Sequence, residues 1–78
     1  MSDEEILQQL KDIIEPYLEK KCEIGLESNV SENLGINSID LIKITVDIED
    51  VFKCSINDTD MFNIRSIKDM IQLIKRSL

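Results

Sequence analysis

At three places along this chain a small polar residue, followed three positions later by an acid, opens a long apolar pattern. Each time apolar residues at helical spacing come next. The pairs are Ser2 with Glu5, Asn37 with Asp40, and Ser66 with Asp69. In such a pair the first side chain accepts a free amide of a helix start, and the acid suits the positive end of the helix dipole. Three helix starts within 78 residues leave room for connections and little else. With only two Gly and one Pro to interrupt them, the expected class is all-α.

After Ser2 the apolar residues Ile6, Leu10, Ile13, Ile14, Tyr17 and Leu18 share one helix face, so the spacing predicts a helix over about residues 3–20. Pro16 lies inside that pattern and should kink or tighten its last turn. Residues 21–36 carry no sustained period. Gly25, Ser28, Asn29, Ser31, Asn33 and Gly35 are loop formers there, with Ile24, Leu26, Val30 and Leu34 as apolar pins.

From Asn37 the face Ile44, Ile48, Val51 and Phe52 predicts a second helix over 38–52, with Ile42, Thr45 and Val46 on its flanks. Several β-branched residues between 39 and 46 favour a strand, but strict alternation fails and the 3.6-residue spacing continues to Phe52. Residues 57–64 read as a short helical turn capped by Asn57 or Asp58. Ser66 then opens a last helix with the stripe Ile67, Met70, Ile71 and Ile74, and Lys75 and Arg76 at its end. The expected architecture is a small bundle of three main helices plus one short helix, with a long loop between helices one and two. There is no repeat and no flexible linker, so residues 1–78 read as one domain.

Composition narrows the function. Sixteen acids against nine bases give a net charge of −7, which disfavours nucleic acid and anionic membrane surfaces and favours a basic protein partner. No apolar run is long enough for a membrane span, and Met1-Ser2-Asp3-Glu4-Glu5 is the opposite of a signal peptide. Histidine is absent, which removes the commonest general base and transition-metal ligand. Cys22 and Cys54 belong to no metal-ligand pattern and read as reduced, partly buried thiols of a cytoplasmic protein. Asp58 and Asp60 have the spacing of a calcium loop, but Phe62 and Asn63 occupy its fifth and sixth positions and the ligand set fails. No nucleophile and base can be assembled, so an enzyme is not expected.

One stretch stands out: Leu34-Gly35-Ile36-Asn37-Ser38-Ile39-Asp40-Leu41. It places Ser38 on the first turn of a helix at the tip of a loop. There the hydroxyl projects into solvent and free backbone amides stand ready for a phosphate. Taken alone, the serine reads first as an ordinary cap residue, since serines at helix starts are common.

Leu34-Gly35-x-Asn37-Ser38-Ile39-Asp40 resembles the L-G-x-D-S-L-D motif of acyl carrier proteins, and the likeness extends over nearly the whole chain. Ile48-Glu49-Asp50-Val51-Phe52 resembles that family's L-E-E-x-F. Ile56 followed by Asp58, and Ile64-Arg65-Ser66-Ile67 against I-x-T-V, continue it. The resemblance implies the acyl-carrier-protein fold and a monomeric carrier rather than a catalyst. It implies 4′-phosphopantetheine on Ser38, attached by a phosphopantetheinyl transferase and ending in a thiol that holds an acyl group as a thioester. It further implies that acyl-loading and acyl-processing enzymes with basic patches meet the second helix at Asp40, Asp47, Glu49 and Asp50. Ile39, Ile42 and Val46 would form the apolar centre of that contact, Ile42 being equally a core candidate.

Two departures bear on the pathway. Asn37 stands where the motif has Asp, and Lys43 where the family often has Glu. Both thin the acidic recognition face, which points to a dedicated polyketide, natural-product or modified-lipid pathway rather than the general fatty acid synthase. The Asn-Ser pair is similar to that of some stand-alone polyketide carriers. The remaining alternatives are a housekeeping fatty acid carrier and an acidic helical interaction module without a prosthetic group.

Overall fold

The structure, a computed structural model, describes residues 2–20 and 22–78. Its helices are α1 (Asp3–Ile14), α2 (Ser38–Phe52), α3 (Asp58–Phe62) and α4 (Ile67–Ser77). This is the expected all-α arrangement of three main helices and one short one.

Capping explains where each helix starts. Ser2 accepts the Glu5 amide and Asn57 the Asp60 amide; Ser66 accepts the Asp69 amide, with Asp69 returning to the Ser66 amide. The amides of Arg65 and Ser66 both donate to Asp69 Oδ2, at 2.9 and 3.0 Å. The Arg65 amide above all holds this carboxyl below the usual carboxylate range, against a smaller opposing effect of burial.

Helix α1 is shorter than its apolar spacing predicts. It ends at Ile14, and Glu15–Tyr17 tightens into a 3₁₀ turn with Pro16 inside it. The Pro ring lacks an N–H and clashes with the preceding turn, so the α ladder stops there while Tyr17 and Leu18 still reach the core. Helix α2 keeps its predicted bounds despite the β-branched run. Buried Thr45 satisfies its hydroxyl on the Leu41 carbonyl at 2.9 Å, so its side chain costs the core no unpaired group.

The core is an apolar cluster from α1, α2, α4 and the long loop: Ile6, Leu10 and Ile14 of α1, Ile44, Ile48 and Phe52 of α2, and Ile67, Met70, Ile71 and Ile74 of α4. The loop is sewn to the start of α4. Val30 donates to the Arg65 carbonyl at 2.9 Å, and Ile67 and Lys68 donate to the Ser28 and Leu26 carbonyls at 3.1 Å each. Two α4 amides that lack helical partners are thereby satisfied by the loop.

Several expected positions change. Ile24, Val30 and Leu34 are buried pins, but Leu26 is exposed and Ile36 is the fourth pin. The Leu26 backbone, rather than its side chain, makes the tie. Val51 is exposed as well. It lies at the edge of the α2 face, where no other helix covers it. Cys22 is exposed rather than partly buried, and Cys54 is partly buried. Burial, more than the Glu49 charge, pushes the Cys54 thiol up.

The 3₁₀ turn is tied to α2 by the Tyr17 hydroxyl, which donates to Asp47 Oδ2 at 2.9 Å. That bond, then desolvation and the charges of Asp47 and Asp40, raises the phenol above its ordinary value. A raised folded value leaves the contribution whole below about pH 10 and removes it as pH climbs through the raised value. Tyr17→Phe should therefore lower the thermal midpoint at pH 7, with the gap to the parent closing above about pH 10. Melting curves across that range decide it, and a gap that stays constant would show that the bond contributes nothing.

Candidate functional site

The approach to α2 is built by one glycine. Gly35 has φ of +68°, the left-handed region that glycine enters without a Cβ penalty. The chain turns there, Ile36 enters the core, and Asn37 emerges as the helix cap. Asn37 Oδ1 accepts the Asp40 amide at 2.8 Å, and its carbonyl accepts the Leu41 amide at 2.9 Å. Of the first four amides of α2, those of Ser38 and Ile39 are left without an intrahelical partner. Asn37 thus performs the capping role that an Asp would, without the charge.

Ser38 is the first helical residue and is exposed. Its hydroxyl is not the cap. It borders a groove of about 230 Å³ whose far wall is Phe62, Ile64 and Arg65, with Leu41 beside it on α2. A second hollow of about 310 Å³ continues along α2 between Ile42 and Val46 on one side and Ile56, Met61 and Phe62 on the other. Phe62, 56% exposed, lines both.

Ile39, Ile42 and Val46 are 66%, 45% and 57% exposed, so Ile42 belongs to the surface rather than the core. Together they make an apolar stripe along the outer side of α2, and Lys43 is exposed beside it. The four carboxylates named on this helix are not equivalent. Asp47 accepts the Tyr17 hydroxyl, and Glu49 Oε2 accepts the Ile56 amide at 2.9 Å. Both brace α2 against neighbouring segments. Asp50 faces Lys53 at 3.8 Å in an exposed pair, and Asp40 is partly exposed at the start of the helix.

Asp58 and Asp60 lie in the first turn of α3, where acids suit the dipole, and Asp60 faces Arg76 at 3.6 Å. Among the described residues no helix is long and apolar enough to cross a membrane. No cluster of three or more Cys, Asp or Glu side chains there is placed to hold a metal.

An exposed serine opens a helix here beside two free amides and an apolar wall, surroundings whose chemistry suits an anionic group on a flexible arm. A phosphopantetheine fits those residues: the amides suit its phosphate, and Leu41, Ile64 and Phe62 its apolar stretch. Residues 8–74 match the sequence model of a family described as the phosphopantetheine attachment site. The chain is 30% identical to an acyl carrier protein of Coprothermobacter proteolyticus, over all of this chain and 96% of that one. It is 33% identical to an acyl carrier protein of Phytoplasma mali, over 91% of this chain and 86% of that one. The crystal structure of an acyl carrier protein from Thermotoga maritima superposes with a TM-score of 0.85 at 28% identity, covering 99% of this chain and 91% of that one.

The chain belongs to the acyl carrier protein family. It is a carrier of phosphopantetheine and not a catalyst, and its family works with phosphopantetheinyl transferases and acyl-processing enzymes. When bound, the group supplies a terminal thiol that holds an acyl chain as a thioester.

Sequence reading missed Phe62 and Arg65. The available signals were slight: an aromatic ending a very short acidic helix, and a cation just before the last capping box.

Proposed function

We propose that Ser38 carries the arm and that residues 1–78 act as one monomeric carrier domain, delivering acyl groups in the cytoplasm to the enzymes of a specialised polyketide, natural-product or modified-lipid pathway. The observation that carries the attachment is the placement of Ser38: exposed, first in α2, and unused as a cap. Its Oγ is accessible to a transferase, and the Ser38 and Ile39 amides favour the phosphate formed there. Partner enzymes dock on the outer side of α2, with Ile39, Ile42 and Val46 at the centre and Asn37, Asp40, Lys43, Asp47, Glu49 and Asp50 around them.

The specialised pathway rests on charge. Asp47 and Glu49 are engaged in bracing α2, Asn37 is neutral, and Lys43 is exposed among the remaining acids. A basic patch that fits a strongly acidic carrier meets a weaker field here.

Co-expression with a broad-specificity phosphopantetheinyl transferase tests the attachment. Fragment mass mapping should place one phosphopantetheine on the peptide holding Ser38, and an arm on another serine would overturn it. For the pathway, an exposed charge contributes about 0.2–1 kcal/mol. Lys43→Glu should then raise turnover by housekeeping fatty acid enzymes by up to about fivefold and lower it with the cognate partners. Unchanged rates with both sets would leave Lys43 a solvated side chain and remove the support for a dedicated pathway.

A further inference from the structure

Arg65 has features that the carrier reading does not yet use. Its Nη1 donates to the Phe62 carbonyl at 2.9 Å and to the Ile64 carbonyl at 3.2 Å. Those bonds tie the guanidinium to the end of α3 and leave Nε and Nη2 for other partners. Among the described residues the ion pairs are Lys53 with Asp50, Lys75 with Asp3, and Arg76 with Asp60, so Arg65 has no carboxylate at pairing distance. The nearest acid in sequence, Asp69, turns Oδ2 to the Arg65 and Ser66 amides. Lys11, Lys20, Lys43 and Lys68 have no ion pair either, but among these unpaired cations of the described residues Arg65 is the one whose charged group is oriented by hydrogen bonds.

The groove supplies a reason. Arg65 lines its far wall, and Ser38 with its free amide forms the near wall. Ser38 and Arg65 thus border the same groove, and the helix amides and the guanidinium are the donors it offers. A phosphodiester there is a single permanent anion with two unesterified oxygens, which suits a guanidinium on one side and helix amides on the other.

We propose that Arg65 is a binding residue for the phosphodiester of the prosthetic arm, holding the base of the arm in the groove between the start of α2 and the end of α3. The contact depends on Ser38 being the attachment point. It makes Arg65 specific to the loaded chain, and it offsets locally the repulsion that an acidic protein exerts on an anionic arm.

Loaded and unloaded forms of the parent and of Arg65→Gln should be compared after mass spectrometry confirms the arm on Ser38. Loading should raise the parent's thermal midpoint by about 2–4 °C at low salt, the scale of one exposed charge-assisted contact in a domain this small. The increment should fall by more than half in about 1 M salt, where screening acts within about 3 Å. It should vanish in Arg65→Gln and persist in part in Arg65→Lys. Taking the difference within each variant cancels any loss from the Phe62 and Ile64 carbonyl bonds. The Arg65 Nε–H resonance should also shift on loading.

Equal increments in parent and Arg65→Gln, or an Nε–H resonance unmoved by loading, would overturn the contact while leaving the Ser38 assignment intact. An arm found elsewhere would overturn both.

Discussion

A Ser38→Ala chain will fold as its parent does and accept no phosphopantetheine. The two halves of that expectation have separate physical origins. Ser38 is exposed at the first position of α2 and does not cap it; Asn37 accepts the Asp40 amide instead. Removing the hydroxyl breaks no structural bond, and Ala has the better helix propensity, so stability should stay within about 0.5 kcal/mol of the parent. Loading, by contrast, should fail, because the proposed attachment uses the oxygen that the substitution deletes. Intact mass after co-expression with a transferase, together with a melting curve, reads both halves. A loaded Ser38→Ala chain would show that another exposed serine, such as Ser31, is the true acceptor. An unfolded one would show that Ser38 has a structural role that the geometry does not reveal.

The largest expected loss of stability lies in the core. Ile74 of α4 is fully buried, in one cluster with Ile6, Leu10 and Ile14 of α1 and Ile44 and Ile48 of α2. Ile74→Ala removes three buried carbons and leaves a cavity that three helix faces and a stitched loop can close only in part. The expected cost is about 2–5 kcal/mol. A chain of this length has roughly 4–12 kcal/mol in total. Urea unfolding should show the midpoint falling steeply with little change in slope, and the variant should begin to melt near ambient temperature. A loss below about 1 kcal/mol would mean that α4 packs more loosely than its burial indicates.

The two variants separate what the fold needs from what the carrier needs. On the proposed attachment one surface hydroxyl decides loading, and a continuous apolar core decides whether that surface exists.

Much of this was legible from local chemistry. The starts of α1, α2 and α4 follow from their caps, and α2 spans Ser38–Phe52 as its spacing predicts, because a helix start is decided by residues within one turn of it. The family was legible too, from the order and spacing of Leu34-Gly35, Asn37-Ser38 and the later segments. Local chemistry was less reliable where a side chain has two possible neighbours. The spacing of α1 runs on to Leu18, yet Pro16 ends its α ladder at Ile14. Val51 fits an apolar face and remains exposed, while Ile36 looks like a loop residue and is buried.

By itself the sequence determined the helix starts, the family and the candidate serine, since each depends on residues close together in the chain. Only the tertiary structure decided which apolar residues are covered and which carboxylates are engaged. Asp47 and Glu49 read as free surface acids until Tyr17 and the Ile56 amide are placed beside them. It alone brought Phe62 and Arg65 to the groove beside Ser38. The physical reason is that burial and charge pairing depend on what lies opposite in space, and packing α3 against α2 joins residues more than twenty positions apart.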